Sequence, residues 1–196
     1  MNKKYLVMAV TAAAAATLLA GCGSSTDKQG GAADEQKTLV VGMEPTFPPF
    51  EFTDNGKYVG FDIDLANAIG EKTGMQVEVK SLGFDALIPA LRSGQIDMIA
   101  SGMDATPERQ KQVSFTEPYF QDGYSVVVRK DNDTIHGFDD LKGRTVGTQV
   151  GTKGVDLGTE AGATVKQYDA NSQGWMELQS NTCDAVIINK IGRASC

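Results

Sequence analysis

From Thr38 onward, apolar and polar positions change period in a regular order. Thr38–Gly42 is a short apolar run of strand length. Met43–Phe50 holds three prolines and reads as a loop. Phe50–Phe52 and Lys57–Val59 flank Asp54-Asn55-Gly56, a hairpin signal. Phe61–Ile69 places apolar residues at helical spacing and stops at Thr73-Gly74. Val77 and Val79 alternate with polar residues, as in a strand. Phe84–Leu91 predicts one short helix broken by Ser93-Gly94, with Pro89 tolerable only near its first turn. Ile96–Ala100 predicts a strand. The second half repeats the alternation. Strands are expected at Tyr124–Val128, Thr145–Thr148, Thr164–Tyr168 and Ala185–Ile188. Phe138–Leu141 predicts a short helical turn. Helices are expected at Val155–Ala161 and around Trp175–Leu178, with Trp175 a core anchor. This order predicts an α/β chain with two mainly parallel sheets. Ligands of such sheets sit beyond the carboxyl ends of strands, here the loops after Gly42, Ala100 and Thr148.

The region before Thr38 has a different pattern. Lys3 and Lys4 precede an apolar, Ala-rich run from Tyr5 to Leu18, then Leu19-Ala20-Gly21-Cys22. A basic start, a short apolar stretch and small residues before a cleavage point make an export signal over residues 1–21. Leu-Ala-Gly-Cys resembles the lipobox of bacterial lipoproteins, which implies lipid on Cys22 and a tether to the outer face of a bacterial membrane. From Gly23 to about Lys37 the chain is small and polar, a flexible linker. The full sequence of 196 residues has a net charge of −7. Removing Lys3 and Lys4 takes it to −9 (−7 minus 2). That balance argues against nucleic acid, which needs clustered Lys and Arg. Cys183 and Cys196 remain, with Cys183 expected as a buried free thiol. His136 is the only histidine and lies in a polar stretch. No His/Cys cluster suggests a metal, no Ser/His/Asp triad is plausible, and no cofactor is expected.

Three loops carry candidate chemistry. In Ser101–Arg109, Thr106 can cap a helix that has Pro107 as its first residue. Arg109 then lies in the first turn, against the preference of the helix dipole for anions. Its planar fork suits a carboxylate, although an ion pair with Glu108 or Glu117 is the plainer alternative. Gly147–Gly154 runs from a strand end into a helix start, where free N–H groups can hold an anion. It lacks the Gly-x4-Gly-Lys-Ser/Thr pattern of a nucleotide loop. Glu44 stands near Phe47, Phe50 and Phe52, a combination that suits an organic cation or an amide. The alternative is that these rings pack the core, as Phe50 and Phe52 are expected to do.

Several of these segments closely resemble family 3 extracellular solute-binding proteins, the polar-amino-acid receptors of ABC importers. They are Pro48–Phe52, Gly60–Ala66, Phe84–Leu91, Thr106–Arg109, Phe115–Tyr119 and Cys183–Ile187, in consistent order over about 38–188. The resemblance implies a two-lobed, type II periplasmic-binding-protein-like clamp. Lobe 1 would span 38–120 and lobe 2 121–189, with a first hinge strand near Tyr119–Tyr124. A ligand would bind between lobes that close and dock on a permease. Arg109 would hold the ligand α-carboxylate, helped by backbone N–H groups of Gly102, Asp104 and Lys153. Phe47 and Phe84 would sandwich the ligand side chain, Glu44 would read its far end, and Gln149 would line the second wall. Two departures stand out. Asp104 replaces a usual Ser or Thr, and Gly102-Met103-Asp104 resembles the arginine-binding members. Asn189 stands where the family has the Asp that grips the ligand ammonium, which leaves Asp104 for that contact. Two carboxylates near one Arg predict arginine or lysine ahead of glutamine.

The resemblance ends after about Asn189, whereas the family continues for several tens of residues. Residues 190–196 are therefore expected to mark a truncated or frameshifted end with an incomplete first lobe, a natural minimal form being the alternative. The expected protein is a monomer and not an enzyme. A cyclohexadienyl dehydratase-like enzyme on the same fold, with Glu44 and Asp104 as acid and base, and a ligand-sensing module are the competing functions.

Overall fold

The computed structural model describes residues 37–191. The export signal at 1–21, Cys22, the linker as far as residue 36, and Cys196 lie outside the described residues. No helix among the described residues is long and apolar enough to cross a membrane.

The first layer is built on β1 (Thr38–Met43). The Pro-rich stretch after it is not all loop, because β2 (Thr46–Phe47) pairs antiparallel with β3 (Glu51–Asp54). β3 pairs in turn with β4 (Lys57–Val59). Their turn is the predicted one. Asn55 and Gly56 both have positive φ, 48° and 76°, as a tight two-residue hairpin requires. Helix α1 (Phe61–Thr73) follows, with Ile63, Ala66 and Gly70 buried at spacings of three and four. Asp62 and Asp64 in its first turn and Lys72 in its last complement the helix dipole. Next come β5 (Gln76–Ser81) and α2 (Leu87–Arg92). The single predicted helix at 84–91 is divided, with a 3-10 turn at Phe84–Ala86 ahead of α2. Pro89 thereby falls in the first turn of α2, where its missing N–H costs nothing.

β6 is shorter than expected, only Met98–Ile99, and pairs with β1 alone in the sheet order β5-β1-β6. Bonds from Asp97 N–H to Val40 O and from Ala100 N–H to Gly42 O continue the contact beyond it, at 2.8 and 3.2 Å. This sheet is parallel throughout. Val41, Met43, Ile63, Ala66 and Ala100 form one core beneath α1. Leu87, Ala90 and Ile96 form another beneath α2. α3 (Pro107–Gln110) closes this half.

The second layer contains β7 (Tyr124–Val127), β8 (Thr145–Gln149), α4 (Lys153–Glu160), β9 (Thr164–Tyr168), α5 (Asn171–Gln179) and β10 (Ala185–Asn189). Its order is β7-β10-β8-β9. β8 is parallel to β9 and β10, whereas β7 runs antiparallel to β10. The expected hinge strand at 119–124 is not strand before Tyr124. Pairing reaches only its far end, where Lys190 N–H donates to Gly123 O at 2.7 Å and Ile191 N–H to Asp122 Oδ2 at 3.0 Å.

Trp175 is half-buried against Leu178, Cys183, Val186 and Ile188, the anchor role expected of it. Cys183 is free and buried, and burial pushes its thiol pKa up. His136 is exposed. Leu141 is fully buried among Ile135, Val146, Ala185 and Ile187. Leu141→Ala is expected to cost about 2–5 kcal/mol through the cavity it leaves. Urea unfolding measures this, and a loss below about 1 kcal/mol would show that the surrounding core collapses around the gap.

Candidate functional site

The carboxyl ends of β1 and β8 meet across a small cavity, lined from the first layer by Glu44, Phe47, Phe84, Gly102 and Asp104. Tyr124, Gln149, Thr152, Asn171 and Asn189 line it from the second. Measured for the centre of a water-sized sphere its volume is ≈ 20 Å³, room for a water or two. A free amino acid is larger than that space. A larger groove of ≈ 580 Å³ adjoins it and shares Phe47, Ser101, Gly102, Asp104 and Asn189.

Glu44 lies just past β1 and is buried. Its Oε1 accepts from Thr46 Oγ1 at 2.6 Å, and the Gln149 side chain faces it from the second layer. Burial raises its pKa, against the lowering effect of these two partners. Gln149 is held in place on its own side. Its Nε2 donates to Asp169 O at 3.0 Å, and its Oε1 accepts from Asn171 Nδ2 at 3.3 Å. Phe47 stacks on Phe50 with centroids 5.8 Å apart, and it also packs against the Leu178 cluster of the second layer. A Cβ at Gly102 would sit 3.3 Å from the Phe47 ring, so glycine there lets the ring form the wall.

Arg109 departs from its expected place. It is 9% exposed but does not line the cavity. Thr106 caps α3 as predicted, its Oγ1 accepting from Arg109 N–H at 3.3 Å. The guanidinium lies 5.3 Å from the Phe84 ring centroid. Its Nη1 donates to Asp104 O at 2.9 Å and its Nη2 to Gly151 O at 2.8 Å. It forms no ion pair with Glu108 or Glu117. The side chain thus spans the two layers beside the cavity, bonded to carbonyls where a carboxylate would be the stronger acceptor.

The backbone donors are also engaged. Gly102 N–H, expected to face a ligand, donates instead to Asp62 Oδ2 at 2.8 Å. Lys153 begins α4, is exposed and does not line the cavity; its N–H is directed at the Tyr124 oxygen. Tyr124 O–H in turn donates to Asp104 Oδ2 at 2.7 Å. Burial first, and then that contact, hold the phenol pKa well above its usual range. Asn189 ends β10 opposite Tyr124 in the β7 ladder and lines the cavity.

The structure therefore gathers Glu44, Phe47, Phe84, Gly102, Asp104, Gln149 and Asn189 around one space and leaves Arg109 and Lys153 behind it. Sequence reasoning missed Glu51, Ser101, Tyr124, Thr152 and Asn171. The Glu51 signal was present, a carboxylate between two phenylalanines in a hairpin strand, but nothing local says which face is buried. Tyr124 and Asn171 reach the cavity only through strand pairing and helix placement.

A family model described as bacterial extracellular solute-binding proteins, family 3, matches residues 39–190. The arginine-binding extracellular protein ArtP of Bacillus subtilis (strain 168) is 39% identical over 193 residues, covering 96% of this chain and 74% of that protein. An ancestral arginine-binding protein has been solved bound to arginine and bound to glutamine. Both structures superpose with a TM-score of 0.78, at 48% and 49% identity, over 82% of this chain and 73% of theirs. The ancestral amino-acid-binding protein AncCDT-1, a precursor of cyclohexadienyl dehydratase, gives a TM-score of 0.78 at 38% identity, over 81% of this chain and 72% of that one. With α/β layers, a cavity between them and this match along most of its length, the chain belongs to the bacterial extracellular solute-binding proteins, family 3.

Proposed function

We propose that the chain captures a free polar amino acid between its two layers, arginine or another basic one ahead of glutamine, and delivers it to the permease of an ABC importer. It does so as a monomer tethered through Cys22 to the outer face of a bacterial membrane. The observation that carries the ligand class is the pairing of Glu44 and Asp104 with the rings of Phe47 and Phe84 around one buried space. Two carboxylates around one buried space favour a ligand with extra positive charge, and the rings add a face for a cation. The similarity to ArtP supports the same reading.

On ligand entry the α-carboxylate takes the place of Gly151 O on Arg109, a charged acceptor replacing a neutral one. The ligand ammonium goes to Asp104, and Asn189 contributes an amide beside it. Gln149 and Glu44 face the far end of the ligand side chain. A cationic end stabilises ionised Glu44 against the burial that raises its pKa, so affinity for arginine falls as pH drops through that raised value.

Calorimetry with a panel of amino acids tests the proposal. Arginine or lysine is expected to bind more tightly than glutamine. Glu44→Gln is expected to weaken arginine by about tenfold, the worth of one charge-assisted bond, and glutamine much less. Tight glutamine binding with none for arginine would overturn the basic preference. The similarity to AncCDT-1 supports a second reading, a dehydratase that uses Glu44 and Asp104 as acid and base. Turnover of a prephenate-like substrate by the same preparation would favour it.

A further inference from the structure

Two carboxyl groups, Glu51 in the cavity wall and Asp62 behind it, have no part in the binding scheme. Glu51 on β3 is 1% exposed and Asp62 in the first turn of α1 is 0% exposed. One oxygen of each already has donors. Glu51 Oε1 accepts from Ser101 Oγ at 2.8 Å. Asp62 Oδ2 accepts from Gly102 N–H at 2.8 Å and from Tyr119 O–H at 3.0 Å. The other two oxygens, Glu51 Oε2 and Asp62 Oδ1, are shut off from solvent with no donor. The two side chains meet at hydrogen-bonding range. Two buried carboxylates in contact with both orphan oxygens anionic would carry an uncompensated desolvation cost. A single proton removes it, making one group the donor that both oxygens lack.

We propose that Glu51 and Asp62 share one proton and act as a positioning pair, fixing the Gly102 amide and the Ser101 hydroxyl in the cavity wall. Glu51 is the neutral partner. Its Oε2–H donates to Asp62 Oδ1, and Asp62 stays ionised to receive Gly102 and Tyr119. From Ser101 the network runs to the ligand side, because Ser101 Oγ also accepts Glu44 N–H at 2.9 Å. The pair thus joins the hairpin, the start of α1, the loop after β6, the segment ahead of β7 and the Glu44 turn. The titratable groups facing it from these elements are Glu44 and Tyr119. Burial first, and then the Asp62 charge, push the Glu51 pKa up to about 10.

A folded pKa raised above the unfolded value gives stability that is complete below about pH 4.5 and is lost as pH rises toward about 10. Within that window the folding equilibrium falls by about tenfold per pH unit for the one extra proton held.

Glu51→Gln is the isosteric neutral form. Its amide N–H can serve Asp62, and its oxygen can serve Ser101. Three measurements on the full chain test the proposal. Infrared difference spectra between wild type and Glu51→Gln at pH 7 are expected to contain a protonated-carboxyl band that the variant lacks. In pH-dependent melting, Glu51→Gln is expected to lose the alkaline decline of the wild type. For arginine affinity, Glu51→Gln is expected to weaken binding less than Asp62→Asn, because its amide keeps both the Ser101 and the Asp62 contact. Asp62→Asn keeps one oxygen for Gly102 and Tyr119 but makes that acceptor neutral and turns an amide N–H toward Glu51, so it is expected to weaken affinity about tenfold. Absence of the carboxyl band, or an unchanged alkaline decline in Glu51→Gln, would overturn the shared proton. An Asp62→Asn chain that melts lower but binds normally would overturn the positioning role. That role rests on the amino-acid reading of the cavity, whereas the infrared and melting arms do not. A wild type that binds no amino acid but has the band would therefore sink the reading of function and uphold the shared proton.

Discussion

Arg109→Ala is expected to raise the dissociation constant for the captured amino acid by roughly thirtyfold or more, the effect of removing about 2–5 kcal/mol of buried charged hydrogen bonding. The geometry explains why so much depends on one side chain. The guanidinium is buried, stacked over Phe84, and donates to carbonyls of both layers, Asp104 O and Gly151 O. Without it, a ligand carboxylate entering the cavity faces the carboxylates of Glu44 and Asp104 with no fixed cation beside it. The ordered Asp104 and Gly151 carbonyls also lose their donors, which loosens the contact between layers. Arg109→Lys is expected to recover little, because an ammonium cannot match the fork of a carboxylate or bridge the two carbonyls in one plane. Calorimetry with arginine on wild type and both variants is the measurement, with melting curves recorded alongside to separate lost binding from lost fold. A well-folded Arg109→Ala chain binding within threefold of wild type would remove the central contact of the proposed function.

The largest stability effect is expected at Gly60, which joins the hairpin to α1. Its φ of 122° and ψ of 177° belong to a region open almost only to glycine. A Cβ there would run into Phe50 O and lie 2.7 Å from Phe50 C and 2.8 Å from Pro49 O. Those carbonyls are not free to retreat. Pro49 O accepts Phe61 N–H at 3.1 Å, and Phe50 O accepts Asp62 N–H at 2.9 Å. Gly60→Ala is therefore expected to cost more than about 3 kcal/mol, the backbone strain alone reaching about 1–3 kcal/mol. Gly74→Ala is the control. Gly74 also has a positive φ, 70°, but a Cβ there meets nothing within 4 Å. Its cost is expected to be the conformational one alone, about 1–2 kcal/mol. Equal losses at the two glycines in denaturant titrations would show that collision with the Phe50 backbone is relieved by local movement.

Much of the fold was legible because its signals are local. Asn55-Gly56 demands a tight hairpin, Thr106-Pro107 demands a helix start, and Thr73-Gly74 demands a helix end. Each appears where expected. Elements shifted where a partner sets the length. β6 shrinks to Met98–Ile99 because it pairs with β1 alone. The 84–91 helix divides so that Pro89 falls in a first turn. The stretch at 119–123 stays out of the sheet because pairing reaches only its last residues. The candidate site divides in the same way. Glu44 and Phe47 announce themselves by residue type in one loop, Phe84 is pointed to only by the resemblance, and all three line the cavity. Gly102 N–H does not face the cavity as expected, because Asp62, forty residues earlier, claims it.

The sequence by itself determined the order of strands and helices, the membership of the family and the residue types available for an amino acid. These follow from period, turn chemistry and motif, each written within a few neighbouring residues. Only the tertiary structure decided which donors are already taken, that Arg109 bridges two layers, and that Glu51 and Asp62 face each other without a donor between them. Hydrogen-bond partnership and desolvation depend on groups far apart in the chain, and no local pattern records which of them will meet out of water.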